Sequence, residues 1–589
     1  MFKYLTILLL LFPASSPSWR SANPFPRPAH PFPRPANPVP RPANPVPRPA
    51  YDPIISCAPP GPAAAVVADA GGRYAPVFPG WGHHHYPIST TNDSAQFYFD
   101  QGLSLYYSYH LTESAASFKE AEQKDTRCAM AYWGEALAMG PYYNNTYTYK
   151  MPPGVLPVLD KMNALASAAN AKEQDLMTAL NQRYSKDTTD RRRAELNTAW
   201  SRAAKALITK YPSDNDIRAL YIDGVMTEHA WDLWDNQGKP LSWTPELVTY
   251  CEAILKSDPD HPAALHYHIH LLEASLHPEA TLASADRLKD LMPGVAHMVH
   301  MASHSYQRTG HYDKGVTVND SANAAAHNYD MLAPQLHLPP DVIHFDAVET
   351  FCAMGAGIYD KAIVTALKCR TIANARGGIV STNLQYLAMM PEFVLVRMGK
   401  WQAILDQPLP DSRWVYASLI SHFARGMAYI RMSNPTAARA CLDSLRQELK
   451  DPILQQRFRP FNEPIKPATV AEGILEGEIL FAENKTAAAI TAFQHAIDSE
   501  DGLSYREPKD WALPARHFAG ACLLKLGKAA EAERMYREDL AQNPGNGWAL
   551  LGMAQALGAQ QNTDAAAEFR VRAAAAFAHA EQFPPASAW

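Results

Sequence analysis

The chain has 589 residues, of which 47% are hydrophobic and 19% charged, so most of it can bury a core. This length predicts three or four domains, unless the chain is a repeat array. The net charge of −6, from 53 basic and 59 acidic side chains, argues against a bulk binder of nucleic acid or anionic membrane. Its seven cysteines form no CxxC pair, which argues against a disulfide scaffold or a zinc ribbon.

The first 18 residues have the pattern of a signal peptide. Lys3 precedes an apolar run over residues 4–12, which is too short to cross a bilayer as a helix. No other stretch holds enough consecutive apolar residues for a membrane span. We therefore expect an exported protein, periplasmic or extracellular, with no transmembrane span.

A proline-rich segment follows over residues 19–50. It contains four copies of a seven-residue unit, NPFPRPA, HPFPRPA, NPVPRPA and NPVPRPA. Because proline removes an amide donor and fixes φ, we predict an extended polyproline II tether. Its arginines could contact an acidic envelope surface, or the segment could be a plain spacer. Residues 51–89 are rich in Ala, Pro and Gly, and we predict a partly ordered linker that carries a His83–His84–His85 tract.

From residue 90 to about 583 the sequence predicts amphipathic helices. Alanine and leucine recur at three- and four-residue spacing, and Gly, Asn and Pro breaks return about every 32–40 residues. The last unit shows the repeat best: Trp548, Leu551 and Gly552 fit W-x2-L-G, and Ala565 and Phe569 close its second helix. Matching offsets recur in the preceding units, and they are poorest between 140 and 260.

These marks resemble the tetratricopeptide repeat (TPR) family over about residues 94–580. The resemblance implies an all-α fold, a right-handed superhelical solenoid of about ten helix pairs, with first helices lining a concave groove. The stretches GHHHYPIST, FDQGL, CAMAYWGEALAMGPYYN and HMVHMASHSYQRTGHYD are also similar to a group of exported TPR proteins of unassigned function. That second resemblance implies a shared architecture, could extend to a histidine site, and implies no reaction.

Twelve of the 22 histidines lie between residues 261 and 344. His266 and His270 are four residues apart on one predicted helix, and His297, His300 and His304 share one face of another. The repeat register places both faces toward the groove. Neighbouring helices would therefore present imidazoles to the same region.

Clustered imidazoles on packed helices predict a transition-metal site, with zinc or copper as the expected ion. We expect one ion to be bound by His266, His270, His300 and His304. His297 and His304 lie roughly 10 Å apart along the helix. We therefore expect His297 and His344 in the ligand groove, where either is a neighbour of the ion or a replacement ligand. Candidate carboxylates are Glu273 and Glu228, whereas His268 points elsewhere.

Other catalytic signatures are absent from the sequence, which has no HExxH, GxSxG, P-loop or GxGxxG. Trp231 and Trp234 could form a stacking platform in the groove, and Tyr306 matches a first-helix aromatic position. We therefore expect an exported TPR-type scaffold whose groove binds a peptide, protein or other extracellular ligand, but no nucleic acid, and which carries the histidine metal site. Two alternatives stay open: a metal-dependent enzyme that uses this site, and a metal-free adaptor that binds peptides or proteins.

Overall fold

A computed structural model describes residues 66–589 except 188, 377–380 and 457–461. The predicted signal peptide, the proline-rich tether and residues 51–65 lie outside the described residues. Within the described part the chain forms α-helices and short 3-10 turns, without a β-strand, which confirms the all-α class.

The helices follow one another along the whole described chain. Their bounds are α1 Asp93–Tyr107, α2 Leu111–Lys124, α3 Ala129–Ala138, α4 Val155–Ala164, α5 Ala171–Asn181, α6 Arg193–Lys210, α7 Asn215–Glu228, α8 Thr244–Ser257, α9 Pro262–Leu272, α10 Leu282–Leu291, α11 Ala296–Thr309, α12 Tyr312–Leu332, α13 Ile343–Ala356, α14 Tyr359–Ala375, α15 Thr382–Ala388, α16 Met390–Arg397, α17 Trp401–Asp406, α18 Val415–Arg431, α19 Pro435–Glu448, α20 Ile465–Ala482, α21 Thr486–Asp501, α22 Ala515–Lys525, α23 Ala529–Gln542, α24 Gly547–Ala559 and α25 Thr563–Ala576.

Consecutive helices pack as hairpins, for example α1 with α2, α11 with α12 and α24 with α25. The contacts explain the repeat. Phe118 on α2 fills the space left by glycines on the helices before and after it, because a Cβ at Gly102 would lie 2.9 Å, and one at Gly134 2.2 Å, from its ring. Tyr536 on α23 is placed in the same way between Gly520 and Gly552. This glycine–aromatic packing gives the chain a TPR-like fold, as the resemblance implied.

Residues 66–92 form no helix, but part of this segment packs against the array. The Phe78 amide donates to Gln101 on α1, and the Tyr329 hydroxyl on α12 donates to the Pro79 carbonyl. The Gly294 amide donates to the Gly80 carbonyl at 3.1 Å. These contacts hold His84 and His85 beside α1 and α7.

The described cysteines are all buried thiols without a disulfide partner, in keeping with helix packing. Among the helices that the structure describes, none combines the length and apolar character needed to cross a bilayer.

Gly552 supplies a test of the repeat packing. We expect Gly552→Ala to lower the free energy of unfolding by about 1–3 kcal/mol, because the added methyl overpacks the contact with Tyr536. Gly558→Ala on the same helix is the control. Its Cβ would meet nothing closer than 4.0 Å, so it should stabilise the helix by roughly 0.5–1 kcal/mol. Denaturant unfolding measures both, and equal stability of the two variants would contradict the packing.

Candidate metal centre

The clustered histidines lie on α9, α11 and α13. The His261 side chain caps α9 by accepting from the Ala264 amide, and Pro262 follows at the first helical position. Gly310, in the left-handed region at φ 80°, ends α11. Because α11 contacts both α9 and α13, its long histidine face meets two neighbours. The six histidines enclosed there are at most 5% exposed: His266, His270, His297, His300, His304 and His344.

The first triad consists of His266 and His270 from α9 and His297 from α11. Their ligand-capable nitrogens lie within 4.8 Å of one another. The Nε2 atoms of His266 and His297 are 3.1 Å apart. The Nε2 of His270 is buried and has no hydrogen-bond partner among the described residues.

The second triad consists of His300 and His304 from α11 and His344 from α13. Its nitrogens also lie within 4.8 Å of one another. The Nε2 atoms of His300 and His304 are 3.0 Å apart. As in the first triad, one buried nitrogen, the Nε2 of His344, has no partner among the described residues.

Acceptors around the triads fix the tautomers of several rings. The Nδ1–H of His266 donates to the Tyr107 carbonyl at 2.6 Å. That of His300 donates to Asn319 Oδ1 at 2.6 Å, and Asn319 Nδ2 in turn donates to a backbone carbonyl. A neutral imidazole that carries its proton on Nδ1 has a lone pair on Nε2. The Nε2 atoms of both rings therefore face the triad interiors as acceptors.

Glu273 fixes one ring in each triad. It is the C-cap residue of α9, three positions after His270. Its Oε1 accepts from His270 Nδ1 at 3.0 Å, and its Oε2 accepts from His304 Nδ1 at 2.7 Å. One carboxylate thus orients ligands of both triads, as carboxylates commonly do behind metal-bound histidines.

The facing nitrogens need a proton or a cation between them. Two Nε2 lone pairs at about 3 Å repel each other unless a proton or a cation lies there. A cation with bonds of about 2.0–2.1 Å to nitrogen sets neighbouring ligand nitrogens about 2.9 Å apart at a right angle and about 3.3 Å apart at a tetrahedral angle. The observed separations, 3.0 Å and 3.1 Å, lie between these values.

A proton between the two close nitrogens of a triad does not provide a partner for the third nitrogen. Burial by itself lowers the pKa of His304, but the Glu273 carboxylate raises it on balance, so His304 can donate to His300. In the first triad, a neutral His297 with its proton on Nε2 can likewise donate to His266 Nε2. Both arrangements leave the third nitrogen of each triad, His270 Nε2 and His344 Nε2, without a partner among the described residues. Burial, reinforced by neighbouring imidazoles, lowers the pKa values of the other five rings well below their usual range, so those rings stay neutral.

A second carboxylate approaches the centre from a distant part of the chain. Glu507, in the loop before α22, places its Oε1 3.7 Å from His304 Nδ1. Burial, together with the nearby Glu273 carboxylate, raises the pKa of Glu507. The protonation state of Glu507 therefore affects the charge beside His304, although Glu507 lies more than 200 residues further along the chain.

His84, Asp216 and His261 form a third cluster of metal-capable side chains. His84 Nε2 lies 2.8 Å from Asp216 Oδ1, which also accepts from the Tyr107 hydroxyl at 2.8 Å. Because His261 Nδ1 already accepts the Ala264 amide, the Nε2 of its neutral ring carries the proton and offers no lone pair. This cluster is a hydrogen-bonded charge pair that attaches the N-terminal segment to α7.

The His84–Asp216 pair predicts a pH-dependent contribution to stability. Burial opposes protonation of His84, but Asp216 raises its pKa above the usual value near 6.5. A raised folded-state pKa stabilises the fold below about pH 6.5, and this contribution is lost as the pH rises through the folded-state pKa. We expect His84→Ala to lose more stability at pH 6 than at pH 9. Urea unfolding at both pH values measures this, with His83→Ala, at an exposed position, as the control.

A solvent-connected cavity of about 680 Å³ adjoins the first triad, and it is lined by His270, Glu273, Trp231 and Trp234, among others. Both tryptophans of the predicted groove therefore lie next to the histidines. Tyr306, the third aromatic residue predicted for the groove, does not line this cavity. It is buried, and its hydroxyl donates to Asp286.

The structure distributes the four predicted metal ligands over two triads. His266 and His270 lie in the first, His300 and His304 lie in the second, and His297 and His344 complete them. His268 is turned away and contacts Ser284 at 2.9 Å. Glu228 also lies apart, since it accepts hydrogen bonds from Thr198 and Ser201 on α6.

Sequence reasoning missed Asn319, Tyr109 and Glu507. Asn319 lies in an N-x-S sequence that suggests glycosylation, but its side chain is buried behind His300. Tyr109 has a φ of 56°, and its ring stacks on His297 with centroids 5.7 Å apart. Nothing in the local sequence signals the approach of Glu507.

No family model matches the chain, and no curated protein matches it. Several solved structures show a weak similarity to this chain. The human IFIT1 dimer with m7Gppp-AAAA is 13% identical, with 72% of this chain and 85% of that chain covered and a TM-score of 0.33. The P58(IPK) TPR domain is 16% identical, with 57% and 89% covered and a TM-score of 0.17. Yeast Tom70 is 11% identical, with 83% and 92% covered and a TM-score of 0.26. Likeness of this degree says nothing about ligand or activity.

Proposed function

We propose that the protein is a metal-binding TPR-like scaffold that holds two transition ions in its paired histidine triads. The observation that carries this proposal is the arrangement of the nitrogens: each triad has two Nε2 atoms about 3 Å apart and a third Nε2 that is buried without a partner among the described residues. Burying such groups without compensation is costly, and an ion in each triad would satisfy all three nitrogens.

The ring partners support the same proposal. Metal-bound histidines usually donate their other ring N–H to a carboxylate or a carbonyl, and here Glu273, Asn319 and the Tyr107 carbonyl have that role. Three neutral imidazoles suit copper or zinc. The apolar segment after Lys3 supports export, where either ion could be acquired.

A metal-dependent enzyme is the second candidate, and the cavity favours it. Three protein ligands leave a coordination position for an exogenous molecule, and His270 lines the cavity. A metal-free adaptor leaves the unpartnered nitrogens unexplained.

Metal analysis of the purified protein tests the proposal. After incubation with Zn(II) or Cu(II) and removal of excess ion, we expect two tightly bound ions per chain. Stripping them with a chelator should lower the melting temperature, because an ion that binds only the folded state stabilises it. Absence of bound ion after both incubations, with the chelator leaving the melting temperature unchanged, would contradict the proposal.

A further inference from the structure

The cavity beside the first triad has the dimensions of a small-molecule site. Its volume of about 680 Å³ falls within the range of roughly 300–1,000 Å³ that is typical of such sites. Asn236 and Gln237 at its rim are exposed, whereas His270 and Glu273 at its inner end are almost completely buried. It therefore extends from the protein surface to the buried side chain of His270.

Aromatic side chains form one wall of this cavity, and three of them pack on one another. The rings of Tyr143 and Trp231 have centroids 4.7 Å apart, and Tyr143 lies 4.8 Å from the His270 ring. The rings of Tyr147 and Trp231 are also stacked, with centroids 6.5 Å apart. Trp234 is held by a hydrogen bond from its Nε1 to the Leu271 carbonyl at 2.7 Å. Such a wall favours flat aromatic ligands, which stack in offset or tilted arrangements.

The backbone at Trp231 is strained in a way that serves this wall. Its φ is 57°, in the left-handed region that bulky residues avoid. The Tyr143 hydroxyl accepts the Trp231 amide at 3.2 Å and holds the strained turn. Strain of this kind concentrates at functional sites, where the surrounding structure maintains it.

The inner end of the cavity offers polar atoms in need of a partner. The Tyr505 hydroxyl is buried and has no hydrogen-bond partner among the described residues, and the same holds for His270 Nε2. Both residues line the cavity. The Arg308 guanidinium lies 5.4 Å from the centre of the Tyr505 ring and also donates to the Glu273 carbonyl, so the phenol is fixed in place. A phenolic O–H at this position can donate to a ligand oxygen.

We infer that this cavity binds a small aromatic compound that carries a hydroxyl group, a phenol or an aromatic alcohol. The ring packs against the aromatic wall, chiefly against the half-buried Trp231, and the oxygen accepts a hydrogen bond from Tyr505, which lines the same cavity as His270. The proximity of this oxygen to a bound ion rests on the proposed function, whereas binding of the ring does not.

Calorimetric titration with 4-methylphenol, toluene and cyclohexanol tests the inference on the metal-loaded and the metal-stripped full chain. We expect 4-methylphenol to bind about 3- to 10-fold more tightly than cyclohexanol, which lacks the aromatic ring. Its affinity should also exceed that of toluene, which lacks the oxygen, by a similar factor. Equal affinity for the three compounds would overturn the inference.

Two variants separate the ring contact from the oxygen contact. Trp231→Leu should lower the affinity for 4-methylphenol at least about fivefold, in the presence or absence of metal. Trp401→Leu is its control, because Trp401 is equally half-buried but lies on α17 outside the cavity lining. Tyr505→Phe removes only an unpartnered oxygen, so the fold should be retained and the advantage over toluene lost.

The outcomes also distinguish this inference from the proposed function. A chain that binds no metal but selects 4-methylphenol through Trp231 would contradict the metal centre alone. A chain that binds two ions but shows no preference among the three compounds would contradict the aromatic site alone.

Discussion

The double substitution His300→Ala with His304→Ala is expected to remove one of the two ions and leave the other. It deletes two of the three nitrogens of the second triad, while His266, His270 and His297 keep theirs. Loss of ligands should weaken binding by more than the 10–100-fold that follows loss of a residue behind a ligand. Metal content should fall from two ions to one per chain.

The reciprocal substitution and a matched control complete this experiment. His266→Ala with His270→Ala should remove the other ion, and metal content should again fall to one. His268→Ala should retain both ions, because His268 bonds Ser284 and faces neither triad. If the double variants keep the metal content and melting temperature of the unsubstituted chain, the histidines do not form metal sites, and the cavity would be a polar binding surface.

Glu273→Gln is expected to lower the affinity for both ions, each by about 10–100-fold. The carboxylate accepts from His270 and His304 at the same time. A glutamine of the same shape has only one acceptor oxygen, so its amide group would face an Nδ1–H. One ring then loses its acceptor and the other keeps a neutral acceptor in place of a carboxylate, so both rings become weaker ligands.

Asn319→Ala is the matched comparison, since Asn319 supports only His300 in the second triad. This substitution should lower the affinity for the ion of the second triad and leave the affinity for the other ion unchanged. Competition with a chromophoric chelator measures both affinities in each variant. Should Glu273→Gln weaken only one ion, the carboxylate does not link the two triads, and each would function independently.

The fold and the relevant helices could be predicted from the sequence because both depend on local spacing. Glycine and an aromatic residue recur at fixed offsets, so Gly552 and its partner position are visible without coordinates. Histidines at i, i+3, i+4 and i+7 share a face on any helix, so His266 with His270, and His300 with His304, were correctly paired on their own helices. Between 140 and 260 the glycine–aromatic pattern is weak, and the repeat could not be followed there.

Only the tertiary structure decided how the histidines divide. His297 and His304 lie on one face of α11 but belong to different triads, because α9 contacts one part of this face and α13 another. A periodic pattern shows which side of a helix a residue occupies, but not which neighbouring helix lies there at that height. The same reason explains why Glu273 could be named without its double role, and why Glu507 and Tyr505, which reach the centre from a loop far along the chain, could not be identified from local spacing.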